Sequence, residues 1–139
     1  MGKKVHEVMT TQPVSVRPAT IVRSAAELME RDNVGSLPVV EETGALVGIV
    51  TDRDIVVRVV AANQDVDRVN VGEILTEHPA VVYPDDPLEQ AMELMAKHQV
   101  RRLPVVYDNQ LVGMLAQADV AQEVKDKQAG RVLEAISQD

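Results

Sequence analysis

Apolar residues recur along the chain in two rhythms, and each rhythm occurs twice. Leu88, Ala91, Met92 and Met95 fall at helical spacing, as do Ile21, Ala25, Leu28 and Met29 between Thr20 and about Arg31. The second of these helices has an explicit start, with Asp86 as N-cap, Pro87 at the first helical position and Glu89 at the third. After each helix come two apolar runs that read as paired strands: Leu37 to Glu41 with Leu46 to Val50, and Leu103 to Tyr107 with Gln110 to Leu115. Turns bearing Thr43-Gly44 and Asp108-Asn109 join them. Ahead of each helix, an amphipathic turn (VHEVM, VGEIL) leads through a Pro-bearing loop to a brief strand, Val14 to Val16 or Ala80 to Val82. A further helix begins near Thr51 and near Ala116, and the Met and Leu stripes are most economically core.

The rhythms repeat because the sequence does. Shifted by 66, residues 5–40 fall on 71–106 with identity at 15 of 36 positions, among them Val5/Val71, Glu7/Glu73, Thr10/Thr76, Ala25/Ala91 and the run Leu37-Pro38-Val39-Val40 on Leu103-Pro104-Val105-Val106. Past the turn the offset becomes 65, and Leu46-Val47-Gly48 falls on Leu111-Val112-Gly113, with Asp54 on Asp119. Residues 3–62 and 69–127 are therefore two copies of one β-α-β-β-α unit, joined by a polar linker at 63–68. A tail at 128–139 carries a short terminal helix. The fold class is α/β (α+β).

Composition narrows what such a repeat can do. Among 139 residues there are 26 Val, two Tyr and no Phe, Trp or Cys, so the core is aliphatic and rich in strand-forming side chains. Acidic residues outnumber basic ones by 22 to 14, a net charge of −8. Nucleic acid is thereby disfavoured, since it is bound through clustered Lys and Arg with aromatic platforms. Without Cys there is no disulfide framework, thiolate metal site or cysteine nucleophile. No apolar run approaches the length of a membrane span, and the N-terminus MGKKVHEVMT has no apolar h-region, so the expected location is cytoplasmic and no membrane partner is expected.

The candidate chemistry sits at Gly48-Ile-Val-Thr-Asp-Arg-Asp54, where an apolar strand gives way to a helix. Unpaired N–H groups at such a junction suit a phosphate, and a hydroxyl with a carboxylate can hold phosphate and ribose oxygens. The same residues also read as a plain capping box, Thr51 with Asp54 three positions on, which needs no ligand.

The repeated Leu-Pro-Val-Val at 37–40 and 103–106, the Thr-x-x-Pro loops at Thr10 and Thr76, and the glycine, hydrophobic, Thr, x, x, Asp pattern at 48–54 resemble the tandem cystathionine β-synthase (CBS) domain family, or Bateman module. The likeness spans about residues 3–126, and the overall pattern is similar to small freestanding bacterial CBS-only proteins. It implies two pseudo-symmetric repeats packed through their sheets, with two clefts that in many relatives accept AMP, ADP, ATP or S-adenosylmethionine.

Carried onto this chain, the resemblance implies a main cleft of Ile49, Thr51, Arg53 and Asp54 with Thr76, Ala80, Val81, Val100 and Arg101. Asp54 would accept from ribose hydroxyls, Thr51 would donate to phosphate or ribose, backbone near Ala80 and Val100 would hold the adenine edge, and Arg101 would meet phosphate. The opposite, weaker cleft joins Met114, Ala116, Ala118 and Asp119 to Thr10, Val14, Ser15, Val34 and Gly35. It lacks the hydroxyl at Ala116, and Gly35 stands where its counterpart has Arg101.

The implied function is a non-catalytic regulatory module sensing an adenosine ligand, with no cofactor required, acting as a homodimer on an unknown protein partner. Met92/Met95 and Ile55/Val56/Val59 are the candidate dimer stripes. The alternative is a ligand-free interaction or stress-response protein whose clefts are closed by side chains. Catalysis has little to stand on: Asp52-Arg53-Asp54 lacks the other elements of aspartate phosphotransferases, and no nucleophile elbow or Walker loop occurs. His6, His78 and His98 have no metal-ligand spacing, so no metal is expected.

Overall fold

Seven of the fifteen positions identical in both copies are buried in both. In the computed structural model, which describes residues 2–137 and their side chains through Lys127, Val5 and Val71, Ala25 and Ala91, and Val39 and Val105 are all fully shielded from solvent. Val16/Val82, Met29/Met95 and Leu37/Leu103 are buried with them. Glu7 and Glu73 match for another reason: each carboxylate accepts from the backbone N–H three residues earlier, Lys4 at 3.1 Å and Asn70 at 2.7 Å, closing a short helical turn.

In chain order the elements are α1 (Val5–Val8), β1 (Thr10–Thr11), α2 (Val22–Asp32), β2 (Ser36–Val40), β3 (Leu46–Thr51), α3 (Asp52–Ile55), β4 (Thr76–Glu77), α4 (Leu88–His98), β5 (Arg102–Tyr107), β6 (Gln110–Ala116) and α5 (Gln117–Ser137). α3 runs on into a π-helical turn at Val56–Val60, and a 3-10 turn occupies Val71–Glu73. The class is α+β, with two three-stranded sheets in the orders β1-β6-β5 and β2-β3-β4. Among the described residues no helix is long and apolar enough to cross a membrane.

Two compact units result, and neither is one sequence copy. One holds the segments up to Thr11, Ala80–Val105 and from Gly113 onward; the other holds Gln12–Pro79 and Val106–Val112. The exchange comes from the leading loops. Thr10 and Thr11 pair with Met114 and Gly113 in the first unit, while Thr76 and Glu77 pair with Ile49 and Gly48 in the second. Each copy thus lends a two-residue strand to the hairpin of the other. The aliphatic core of the second unit gathers Val16, Val22, Leu37, Val39, Val50 and Val59.

Several local expectations are corrected. The brief strands at Val14 to Val16 and Ala80 to Val82 reduce to single parallel bridges, Val16 to Val39 and Val82 to Val105. Val16 N–H donates to the Pro38 carbonyl and its own carbonyl accepts from Val40. The next rung needs an N–H from residue 38, which is proline, and residue 104 repeats the block. α2 starts at Val22 rather than Thr20, because Thr20 Oγ1 accepts from Arg17 N–H in the preceding turn. Its first N–H groups instead donate to Val69 and Val66 carbonyls at 2.9 and 3.1 Å. Asp86 likewise closes the turn before α4, accepting from Tyr83 N–H at 2.9 Å, and Pro87 takes the N-cap. The tail beyond Gly130 continues α5 to Ser137 instead of forming a separate helix. In the two candidate dimer stripes, Met95 and Val59 point into the interior, whereas Met92 and Val56, with Val57 and Val60, are exposed.

Candidate functional site

The second unit brings together Ile49, Thr51, Arg53, Asp54 and Thr76 of the main set. β3 carries Ile49 into register with Thr76 on β4, and ends at Thr51, opposite Ser36 on β2. The close approach of β4 depends on Gly48, where a Cβ would overlap the Thr76 carbonyl oxygen and lie 2.9 Å from Leu75 Cδ1. Thr51 and Asp54 then bind each other. Thr51 N–H donates to Asp54 Oδ2 at 2.9 Å, and Asp54 N–H donates to Thr51 Oγ1 at 3.1 Å. Asp54 is the one charged residue counted as buried among those described, at 8% exposure, while Arg53 and Thr76 are exposed.

This capping box leaves chemistry to spare. Thr51 Oγ1 accepts one bond and still has its O–H to donate, and Asp54 retains lone pairs on both oxygens. The carboxylate is also held from the other side: Arg58 Nε lies 3.9 Å from Asp54 Oδ1, and the Arg58 guanidinium donates to the carbonyls of Ile74 and Leu75 at 3.0 and 3.3 Å. Arg58 lies outside the glycine-to-aspartate pattern and was not among the sequence candidates; its signal is the i, i+4 spacing from Asp54.

The same unit also holds Val14, Ser15, Val34 and Gly35 of the weaker set. Val34 is half-buried, and Val14 and Ser15 are exposed. The Gly35 carbonyl accepts from Asp52 N–H at 2.9 Å, and a Cβ on Gly35 would lie 2.9 Å from the Asp52 carboxylate.

The first unit holds the remaining members. Of the main set it carries Ala80 and Val81, both half-buried, and Val100 and Arg101, both exposed. Val100 and Arg101 line a groove of about 480 Å³ with Met92, Gln99, Gln117 and Val120. The Arg101 carbonyl accepts from Gln117 N–H at 2.8 Å, matching the Gly35 to Asp52 bond of the other copy. Of the weaker set this unit carries Thr10 in register with buried Met114, and exposed Asp119 in the first turn of α5, where the half-buried Ala116 and exposed Ala118 offer no hydroxyl. Among the described residues no three His, Asp or Glu side chains gather as metal ligands would.

The family model for the CBS domain matches this chain twice, over residues 5–61 and 71–126. The chain belongs to the CBS domain family. It is 42% identical to the CBS domain-containing protein YhcV of Bacillus subtilis (strain 168) over 134 residues, covering 96% of this chain and 94% of that one. Among solved structures it resembles CBSX2 of Arabidopsis thaliana in complex with AMP, at 31% identity and a TM-score of 0.80, over 91% of this chain and 99% of the other. The CBS domain pair of the protein MJ0100, in complex with 5′-methylthioadenosine and S-adenosyl-L-methionine, is similar at 26% identity and a TM-score of 0.80, again over 91% and 99%. As a CBS pair this chain has the expected family and fold, and its signature residues lie where strand β3 meets α3.

Proposed function

We propose that this chain is a non-catalytic regulatory module that senses an adenosine ligand, AMP, ADP, ATP or S-adenosylmethionine, through Ile49, Thr51, Arg53, Asp54, Thr76, Ala80, Val81, Val100 and Arg101. The observation that carries the reading is the reciprocal Thr51–Asp54 pair: it fixes a hydroxyl and a carboxylate at the end of β3, the strand whose Ile49 pairs with Thr76, while leaving an O–H donor and free carboxylate lone pairs. That is the equipment a ribose diol and a phosphate need. The adenosine ligands of CBSX2 and MJ0100 support the ligand class. None of the proposed site residues is aromatic, so in this reading adenine is held by aliphatic contacts and backbone hydrogen bonds.

Thr10, Val14, Ser15, Val34, Gly35, Met114 and Asp119 form the weaker site of this reading. Ala116 removes the hydroxyl there, and among the described residues exposed Asp119 has no hydrogen-bonded partner comparable to Thr51. The module acts as a homodimer: Val56, Val57, Val60 and Met92 present aliphatic surface that a second copy would cover. Ligand then acts on a protein partner by its differential affinity for two states of the dimer.

Thermal unfolding with and without AMP, ATP and S-adenosylmethionine tests the ligand claim. A compound binding only the folded chain, at 100 times its dissociation constant, adds about 2.7 kcal/mol of stability. Loss of that shift in Asp54→Ala, measured against the variant's own baseline, supports the reading; no shift with any compound overturns it. The second reading, a ligand-free interaction module, draws on the same pair, since the capping box is complete without a ligand.

A further inference from the structure

We infer that Arg58 is the positioning residue of the Asp54 half-site, an inference that rests on the nucleotide-sensing reading above. Its guanidinium reaches two parts of that half-site at once: the Asp54 carboxylate, with Nε 3.9 Å from Oδ1, and the root of β4, through the carbonyls of Ile74 and Leu75 at 3.0 and 3.3 Å. Leu75 immediately precedes Thr76, whose register partner is Ile49. A planar fork of donors can make these contacts together, whereas an ammonium is a single point charge. Arg58 thus ties the start of α3 to the strand lent by the other copy, and both sides of the half-site are held before any ligand arrives.

The backbone also departs from a regular α-helix at this point. Arg58 lies in the π-helical turn, where Ala61 N–H donates to the Val56 carbonyl at 2.8 Å and Gln64 N–H to Val59 at 2.9 Å. Such wide turns inside helices concentrate at functional positions. The second copy does without it, since α5 continues as an α-helix.

Charge at the matching position is inverted. With the offset of 65 that places Asp54 on Asp119, Arg58 falls on Glu123, which pairs with Lys3 at 3.2 Å. Asp54 therefore has a cation four residues on and Asp119 has an anion, a spacing that favours the first carboxylate and repels the second. The pseudo-symmetric sites differ in their support as well as in Thr51 against Ala116.

The test uses the full chain, AMP as probe, and two readouts: the AMP dissociation constant by calorimetry, and amide hydrogen exchange at residues 74–77 and at Thr51 without ligand. Arg58→Ala is expected to weaken AMP binding about tenfold, the size at which outer-shell partners act on groups they orient, and to speed exchange at 74–77. Arg58→Lys, which keeps the charge and loses the fork, falls between it and the parent in both readouts. Glu123→Ala leaves the AMP affinity of the main site unchanged. Faster exchange in Arg58→Ala with AMP affinity equal to the parent overturns the inference and leaves Arg58 a structural residue. Failure of the parent chain to bind AMP, ATP or S-adenosylmethionine is a different result, and it removes the nucleotide reading and this inference together.

Discussion

The amide of Thr51 donates to Asp54 at 2.9 Å and the amide of Asp54 donates back to Thr51 at 3.1 Å, so two residues that could hold a ligand already hold each other. Thr51→Ala removes one half of the exchange and is expected to cost about 1 kcal/mol, the usual worth of an N-cap side chain. Thr51→Ser keeps the oxygen and stays close to the parent. Chemical denaturation of the three chains checks the ranking, and an unchanged midpoint in Thr51→Ala would contradict it.

Gly48 and Gly113 hold equivalent places beside the lent strands but face different neighbours. A Cβ at Gly48 meets the backbone carbonyl of Thr76, which cannot swing away. At Gly113 the nearest atom is the Met9 sulfur at 2.7 Å, on a flexible side chain, followed by the Thr10 carbonyl at 2.9 Å. Gly48→Ala is therefore expected to destabilise by about 1–3 kcal/mol, as overpacking does, and Gly113→Ala by less. Equal losses in thermal unfolding would refute the distinction.

Much of this was legible because short-range pattern decides it. The hairpins at Leu37 to Val50 and Leu103 to Leu115, the helical stripes through Ala25 and Ala91, and the capping box at Thr51 follow from spacing within a dozen residues. The lent strands were not legible. Thr10–Thr11 and Thr76–Glu77 are too short to carry an alternating pattern, and their partners, Met114 and Ile49, lie far away in sequence. The helix starts were misplaced for a related reason: Val69 and Val66 satisfy the first N–H groups of α2, so no local cap is needed. Arg58 escaped notice because its carbonyl partners, Ile74 and Leu75, become neighbours only through the fold.

Restoring the hydroxyl missing from the second copy gives a gain-of-function test. Ala116 occupies the position of Thr51, with Asp119 three residues on, so Ala116→Thr rebuilds the Thr-x-x-Asp box. The variant is expected to bind more AMP per chain than the parent in a calorimetric titration. An unchanged stoichiometry and affinity would show that the hydroxyl is not what separates the two sites.

Acid stability should respond to Asp67. The hydrogen bond from Arg23 holds the Asp67 carboxyl below the ordinary carboxylate range; desolvation opposes it in part, and the charge of Arg23 adds the smallest effect, in the same direction as the hydrogen bond. A carboxyl lowered in the folded state stabilises above its unfolded pKa, and that contribution is lost as pH falls through the folded value. Asp67→Asn is expected to flatten the acid end of the stability curve, only slightly because both partners are exposed, and to change nothing in its shape near neutrality. A parallel acid limb in parent and variant would contradict this.

Calorimetric titration of AMP into the parent chain and into Asp54→Asn decides whether Asp54 and Thr51 hold the ribose and phosphate side of an adenosine ligand. Asparagine preserves an acceptor for the Thr51 amide and removes the charge, so the fold is retained while the ribose partner is weakened. Saturable AMP binding is expected for the parent, with a loss of about tenfold or more in affinity for the variant, because a charged hydrogen-bond acceptor is neutralised. Equal affinity in the two chains, with both folded, would contradict it.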